Sequence, residues 1–219
     1  MLFDLRGRRR RAVQGTYLRL ALLMGGGLVL FGIGGDVSGG LFDAFSERGG
    51  GGGNDAVEER VERNEDRLRA NPNNEAALKE LVRDYYGLAV SQQESGATQF
   101  SADAKDELRK AGAYWERYLE AESGEPDPSL ALVAWRIFDL GALNRPAGAA
   151  RAMAIIAADS NDPQHYLQLV QYAALAGDER TADLASQKAV DLAPNNLRME
   201  VKKQAEQIKK AAKQQQAAG

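Results

Sequence analysis

Residues 163–196 read PQHYLQLVQYAALAGDERTADLASQKAVDLAPNN, and this stretch decides the fold. Tyr166, Leu169, Val170 and Ala173 recur at i, i+3, i+4 and i+7, which is one face of a 3.6-residue helix. Asp162 is a good N-cap, and Pro163 follows at the first helical position, where a missing N–H costs nothing. Gly177 and Asp178 make a turn. Beyond it Ala182, Ser186 and Ala189 give a second helix a face of small residues, and Pro194 closes the unit. Small residues let two antiparallel helices approach closely. Such a hairpin cannot bury its apolar face alone, so the chain should contain others.

Working outward, Asp127-Pro128 repeats the cap and proline, followed by Leu132, Trp135 and Asp139 at the positions of Tyr166, Leu169 and Ala173. Pro146 opens a second helix with Gly148, Ala152 and Ile155 on its small-residue face. Further back, Asn71-Pro72-Asn73-Asn74 reads as a turn, and Leu78, Leu81, Val82 and Tyr85 fit a first helix. Its partner is delayed by a polar insert over residues 91–101, then carries Ala104, Leu108, Ala111, Trp115, Tyr118 and Leu119. Residues 55–70, with Val57, Val61 and Leu68, read as an unpaired helix before the array. Residues 197–216 are polar except at Leu197, Val201, Ala205 and Ile208, the pattern of a helix with one face on the array and the rest in water. No stretch alternates as a strand does, so the expected class is all-α.

In period, cap, turn and closing proline, residues 71–196 resemble the tetratricopeptide repeat (TPR) family, most clearly over 163–196 and least over the interrupted first unit. The resemblance implies a short array of roughly two and a half to three and a half repeats with a C-terminal capping helix. It also implies a binding scaffold, in which positions two, five, nine and twelve of each first helix line a concave groove. Those positions are Leu130, Val133, Ile137 and Leu140 in the middle repeat and Gln164, Leu167, Gln171 and Ala174 in the last. In the first they are Ala76, Lys79, Arg83 and Tyr86. The groove would be apolar at its centre and polar at its ends, fit for a protein or peptide segment with hydrophobic anchors. Independently of the family, the segment from Leu130 to Leu140 is apolar on nearly every side, and such a helix must be covered all round. A partner could cover it, or the insert around Phe100 or the terminal helix could fold over it.

The other end of the chain suggests an address. Between Arg11 and Asp36 the only charge is Arg19, and residues 20–33 are wholly apolar or glycine. Crossing a hydrocarbon core of about 30 Å takes about 20 residues. Residues 18–37 supply that length if Arg19 snorkels to the interface. Arg6, Arg8, Arg9, Arg10 and Arg11 precede the run and Asp36 and Asp43 follow it, so the positive-inside rule puts residues 1–17 in the cytoplasm and the remainder outside it. A cleaved signal peptide shares this outline, but no A-x-A site appears, and an uncleaved signal-anchor is the preferred expectation. Ala21, Gly25, Gly32 and Gly35 set a small-residue face on the span, the pattern that permits self-association in a membrane. Residues 38–54 contain the run Gly49 to Gly53 and read as a flexible linker with a reach of roughly 25 Å. The expected order is thus cytoplasmic tail (1–17), transmembrane helix (18–37), linker (38–54), helical array (55–196), and capping helix with polar tail (197–219).

Charge and composition narrow the function. The chain carries 28 basic and 31 acidic side chains. Residues 47–197 hold 16 basic and 26 acidic ones, so no nucleic-acid partner is expected. With no cysteine, there is neither a thiol nucleophile nor a thiolate metal site. His165 is alone, and a zinc site of the usual kinds needs more. Glu120 and Glu122 diverge around a helix, and the glycine runs lack a following G-K-[ST]. Neither enzyme nor cofactor is expected. The expected function is a membrane-anchored scaffold for protein–protein contact outside the cytoplasm, assisting secretion or envelope assembly. The alternative is a structural assembly factor that homo-oligomerises without a client.

Overall fold

Short polar side chains start most of the helices. Asn74, Ser101, Asp127, Asp162 and Asp178 each accept a backbone N–H of the first helical turn that follows them, satisfying donors the helix cannot pair itself. The computed structural model describes residues 53–93 and 99–217. Among them the helices are α1 (Gly53–Ala70), α2 (Glu75–Ser91), α3 (Ala102–Ala121), α4 (Pro128–Phe138), α5 (Pro146–Ser160), α6 (Pro163–Leu175), α7 (Glu179–Leu192) and α8 (Arg198–Gln216), with no strand among the described residues. The fold is all-α. The expectations for the tail, the span and its small-residue face at Ala21, Gly25, Gly32 and Gly35 lie outside the described residues, as does most of the linker. Among the described residues, no helix is long and apolar enough to cross a membrane.

Helices α2 and α3, α4 and α5, and α6 and α7 pack as successive hairpins. Contacts of α4 with both α2 and α3, and of α5 with α6, join each hairpin to the next. Helix α8 lies on both α6 and α7. Its Val201 and Ala205 meet Leu167 near the start of α6, while the Gln216 amide donates to the carbonyls of Ala174 and Leu175 at the other end. Thus α8 runs parallel to α6. Lys209 with Asp183 and Lys213 with Glu179 tie it to α7 from the outside.

The interior is packed from aromatic and aliphatic side chains. Trp115, Tyr118, Leu78, Leu81 and Leu108 are buried in the first hairpin, Leu130, Ile137 and Met153 in the second, and Val170 and Tyr172 in the third. Phe138, at the end of α4, lies between two glycines of neighbouring helices. A Cβ at Gly112 of α3 would come within 3.0 Å of its ring, and one at Gly148 of α5 within 2.7 Å. Only glycine lets both helices close on that ring.

Two expectations need correction. Helix α1 is not unpaired. Val61 and Leu68 are buried, Arg60 bonds the buried Asp84 of α2 at 2.6 Å, and Glu65 accepts from Tyr85 of α2 at 2.7 Å and from Tyr114 of α3 at 3.0 Å. The two tyrosine rings stack at 5.6 Å. Polar pairs therefore supply much of the docking, which a scan for apolar periodicity does not register.

The second correction concerns register in the middle hairpin. Leu132, Trp135 and Asp139 are half-buried rather than interior, as is Ile155. Of the six buried residues of α4, all but Leu130 (Ala131, Val133, Ala134, Ile137 and Phe138) match Leu167, Leu169, Val170, Ala173 and Ala174 of α6 at a spacing of 36. In the second helices Ala149, Met153 and Ile156 match Ala182, Ser186 and Ala189 at a spacing of 33. A longer turn, residues 139–145 against 176–178, absorbs the difference. One uniform spacing of 34 falls between the two and misses both.

Candidate functional site

The outward face of α6 is defined by what flanks it. Tyr172 reaches toward α4, where its hydroxyl donates to Asp139 Oδ1 at 2.5 Å and its ring meets Trp135 edge-on. Leu167, on the other flank, packs with Val201 and Ala205 of α8. Gln164, Gln168, Gln171 and Leu175 fall between these directions at i, i+4, i+7 and i+11, and all four are half-buried. They form one stripe between α4 and α8.

Helix α2 presents a similar stripe of half-buried residues, Lys79, Arg83, Tyr86 and Val90. Lys79 Nζ and Arg83 Nη2 stand 3.7 and 3.6 Å from Asp127 Oδ2 at the start of α4. Burial pushes the Asp127 carboxyl up. Hydrogen bonds from the Ser129 hydroxyl and the Leu130 and Ser129 amides, with the Lys79 charge nearby, outweigh that and hold it below the usual range. Asp127 therefore stays ionised as both cap and counter-charge. On α4 itself Leu132 and Arg136 are half-buried one turn apart. The three first helices thus offer three cations, a tyrosine, a valine, two leucines and a row of side-chain amides.

The groove residues expected from the family positions divide. Arg83, Tyr86, Gln164 and Gln171 lie in the stripes just described, as does Lys79, while Ala76 is exposed. Leu130, Val133, Ile137 and Leu167 do not line an open surface. Leu130 and Ile137 are fully buried, Val133 and Leu167 retain 2 % exposure, and Ala174 is buried as well. The apolar centre expected for the groove is interior because the flanking hairpins, not an outside partner, close around α4, and because α8 covers Leu167. Leu140 is exposed but stands past the end of α4, in the turn. Sequence reasoning missed Gln168, Leu132 and Arg136. The signal was present, since Gln164, Gln168 and Gln171 are spaced for a single helix face and break an otherwise apolar helix.

His165 is half-buried, with its Nδ1 2.7 Å from the Ser160 hydroxyl across the α5–α6 turn. Among the described residues no cluster of acidic or histidine side chains could hold a metal. Burial raises the Tyr114 hydroxyl to about 12, helped by its bond to Glu65, so the tyrosines that dock α1 remain protonated donors at neutral pH. The titrating groups of this surface thus hold helices together. No protein-family model, curated protein or solved structure matches the chain.

Proposed function

We propose that this protein is a membrane-tethered scaffold of the tetratricopeptide type, holding a protein segment along the outward stripes of α2, α4 and α6 on the extracytoplasmic side of the membrane, in the service of secretion or envelope assembly. The observation that carries the reading is the glutamine stripe of α6. A side-chain amide both donates and accepts, and so matches the backbone of an extended polypeptide. Three at one helix face, together with Arg83 and Tyr86 on α2, suit a partner bound through its main chain with a few charged and apolar anchors. The basic cluster before residue 18 and the apolar run 20–33 support the anchor. The glycine-rich linker would keep the scaffold near membrane-bound clients and raise their effective concentration.

The test is a photo-crosslinking residue placed at Gln168, with a second at Leu184 on α7, in the full chain within its own membrane. Discrete adducts from position 168 that vanish on adding Arg83→Ala and Gln171→Ala support the reading, and identical adduct patterns from both positions would sink it. A homo-oligomeric assembly factor remains the second reading, favoured by the exposure of Leu184, Leu197 and Met199. Adducts whose mass equals two copies of the chain would select it.

A further inference from the structure

The long turn of the middle hairpin borders a cleft of about 470 Å³ that the stripes do not use. Lys105 and Arg109 reach it from the first turns of α3, and Arg145 from the residue preceding α5, with Leu140, Asn144 and Gln99 completing the polar and apolar lining. Among the described residues no acidic side chain lines this cleft, although residues 47–197 are acidic by 26 to 16. Arg109 pairs with Asp106 on its own helix. Lys105 and Arg145 make no ion pair among the described residues. Arg145 also occupies the N-cap position of α5 without making a capping bond, so its guanidinium is not committed to the fold. Three cations thus line one cleft from two elements, and of these only Arg109 is paired with a carboxylate, an excess of positive charge that favours an anion.

We propose that this cleft docks an acidic peptide segment of a partner protein. Guanidinium groups take carboxylates in paired hydrogen bonds. The amides of Asn144 and Gln99 offer acceptors as well as donors, which a peptide backbone uses and a bare phosphate does not. Leu140, 37 % exposed, adds an apolar contact at the same place. The surface is separate from the stripes of α2, α4 and α6, and its occupancy does not depend on theirs.

The experiment uses the full chain in neutral detergent and a fluorescent peptide of alternating Glu and Leu, read by anisotropy. Binding should weaken about tenfold or more in Lys105→Glu/Arg145→Glu, because charge pairs at interfaces couple this strongly, and should weaken with added salt. Lys105→Gln/Arg145→Gln should fall between, and Lys188→Gln/Lys202→Gln, at exposed cations of α7 and α8, should match wild type. These side chains are not interior, so helical circular dichroism should persist in every variant, and Lys105→Gln/Arg145→Gln serves as the milder test of the same site. Unchanged affinity in Lys105→Glu/Arg145→Glu overturns the proposal. So does binding confined to inorganic phosphate or to phosphatidylglycerol vesicles, offered as separate arms.

Discussion

In the last hairpin α6 runs 13 residues and turns into α7 over residues 176–178, whereas in the middle hairpin α4 stops after 11 and the turn takes residues 139–145. The helix starts Pro128 and Pro163 stay nearly one repeat length apart although the first helix is shorter and its turn longer, so these differences do not show in the overall count. They do show in the packing. Phe138 stands where α6 has Ala174, and Gly148 stands where α7 has Thr181. A large ring on the first helix is matched by a missing side chain on the second. The same outline is therefore filled in two ways, and the slack appears at the turn, where the cationic cleft lies.

The sharpest way to break that contrast is Phe138→Ala, which empties a site buried between Gly112 and Gly148 and should cost about 3–5 kcal/mol in urea denaturation. A cost under 1 kcal/mol would mean that the ring does not key the middle hairpin. Next is Tyr172→Phe, which removes the hydrogen bond tying the last hairpin to the Asp139 carboxylate and should cost about 1.5–3 kcal/mol. Burial, then the Asp139 charge and its hydrogen bond, raise the Tyr172 hydroxyl above its ordinary value of 10.0. Its folded value exceeds its unfolded one, so its contribution is complete below pH 10 and is lost as pH rises further. Wild type should lose stability on the alkaline side more steeply than Tyr172→Phe. Parallel alkaline curves would remove this contact from the account.

Gly148→Ala should destabilise by about 1–3 kcal/mol through crowding of the Phe138 ring, and by much less in a Phe138→Leu background. Additive costs in the double variant would show that the two sites do not compensate one another. The smallest expected difference is between two caps. Asp127→Ala and Asp162→Ala should each cost about 0.5–2 kcal/mol, with Asp127 the dearer because Ser129 and the Lys79 and Arg83 charges also attend it. The Asp127 carboxyl is held below its ordinary value of 3.8, so its share is present above that pH and lost as pH falls through the folded value. Acid unfolding should be shallower in Asp127→Ala, and equal acid slopes would contradict this.

Much of the architecture was legible because helix starts are local. Asp127 and Asp162 act on amides within three residues, so their role can be read from spacing alone, whereas Asn74 and Asp178, read as turn residues, also prove to be caps. The apolar character of residues 130–140 likewise announced that most of α4 would be covered, although Leu132 and Trp135 stay half-buried and Leu140 is exposed. What covers it was not local. Leu130, Val133 and Ile137 were placed in an open groove because family positions were carried across, and the hairpins packed on either side of α4 close over them instead. The docking of α1 was hidden for another reason. Arg60 with Asp84, and Glu65 with two tyrosines, join residues twenty to fifty positions apart, and charged residues on a helix ordinarily read as its solvated side.

The sequence by itself determined that the array is helical, where its helices begin, and which residue types are available for chemistry, because capping and 3.6-residue periodicity are properties of neighbours along the chain. The tertiary structure alone decided which apolar residues are interior, that α8 runs beside α6 and covers Leu167, and that Lys105, Arg109 and Arg145 share one cleft. Those outcomes depend on how far one helix can approach another, and a single glycine opposite a phenylalanine changes that distance without altering the pattern along either helix.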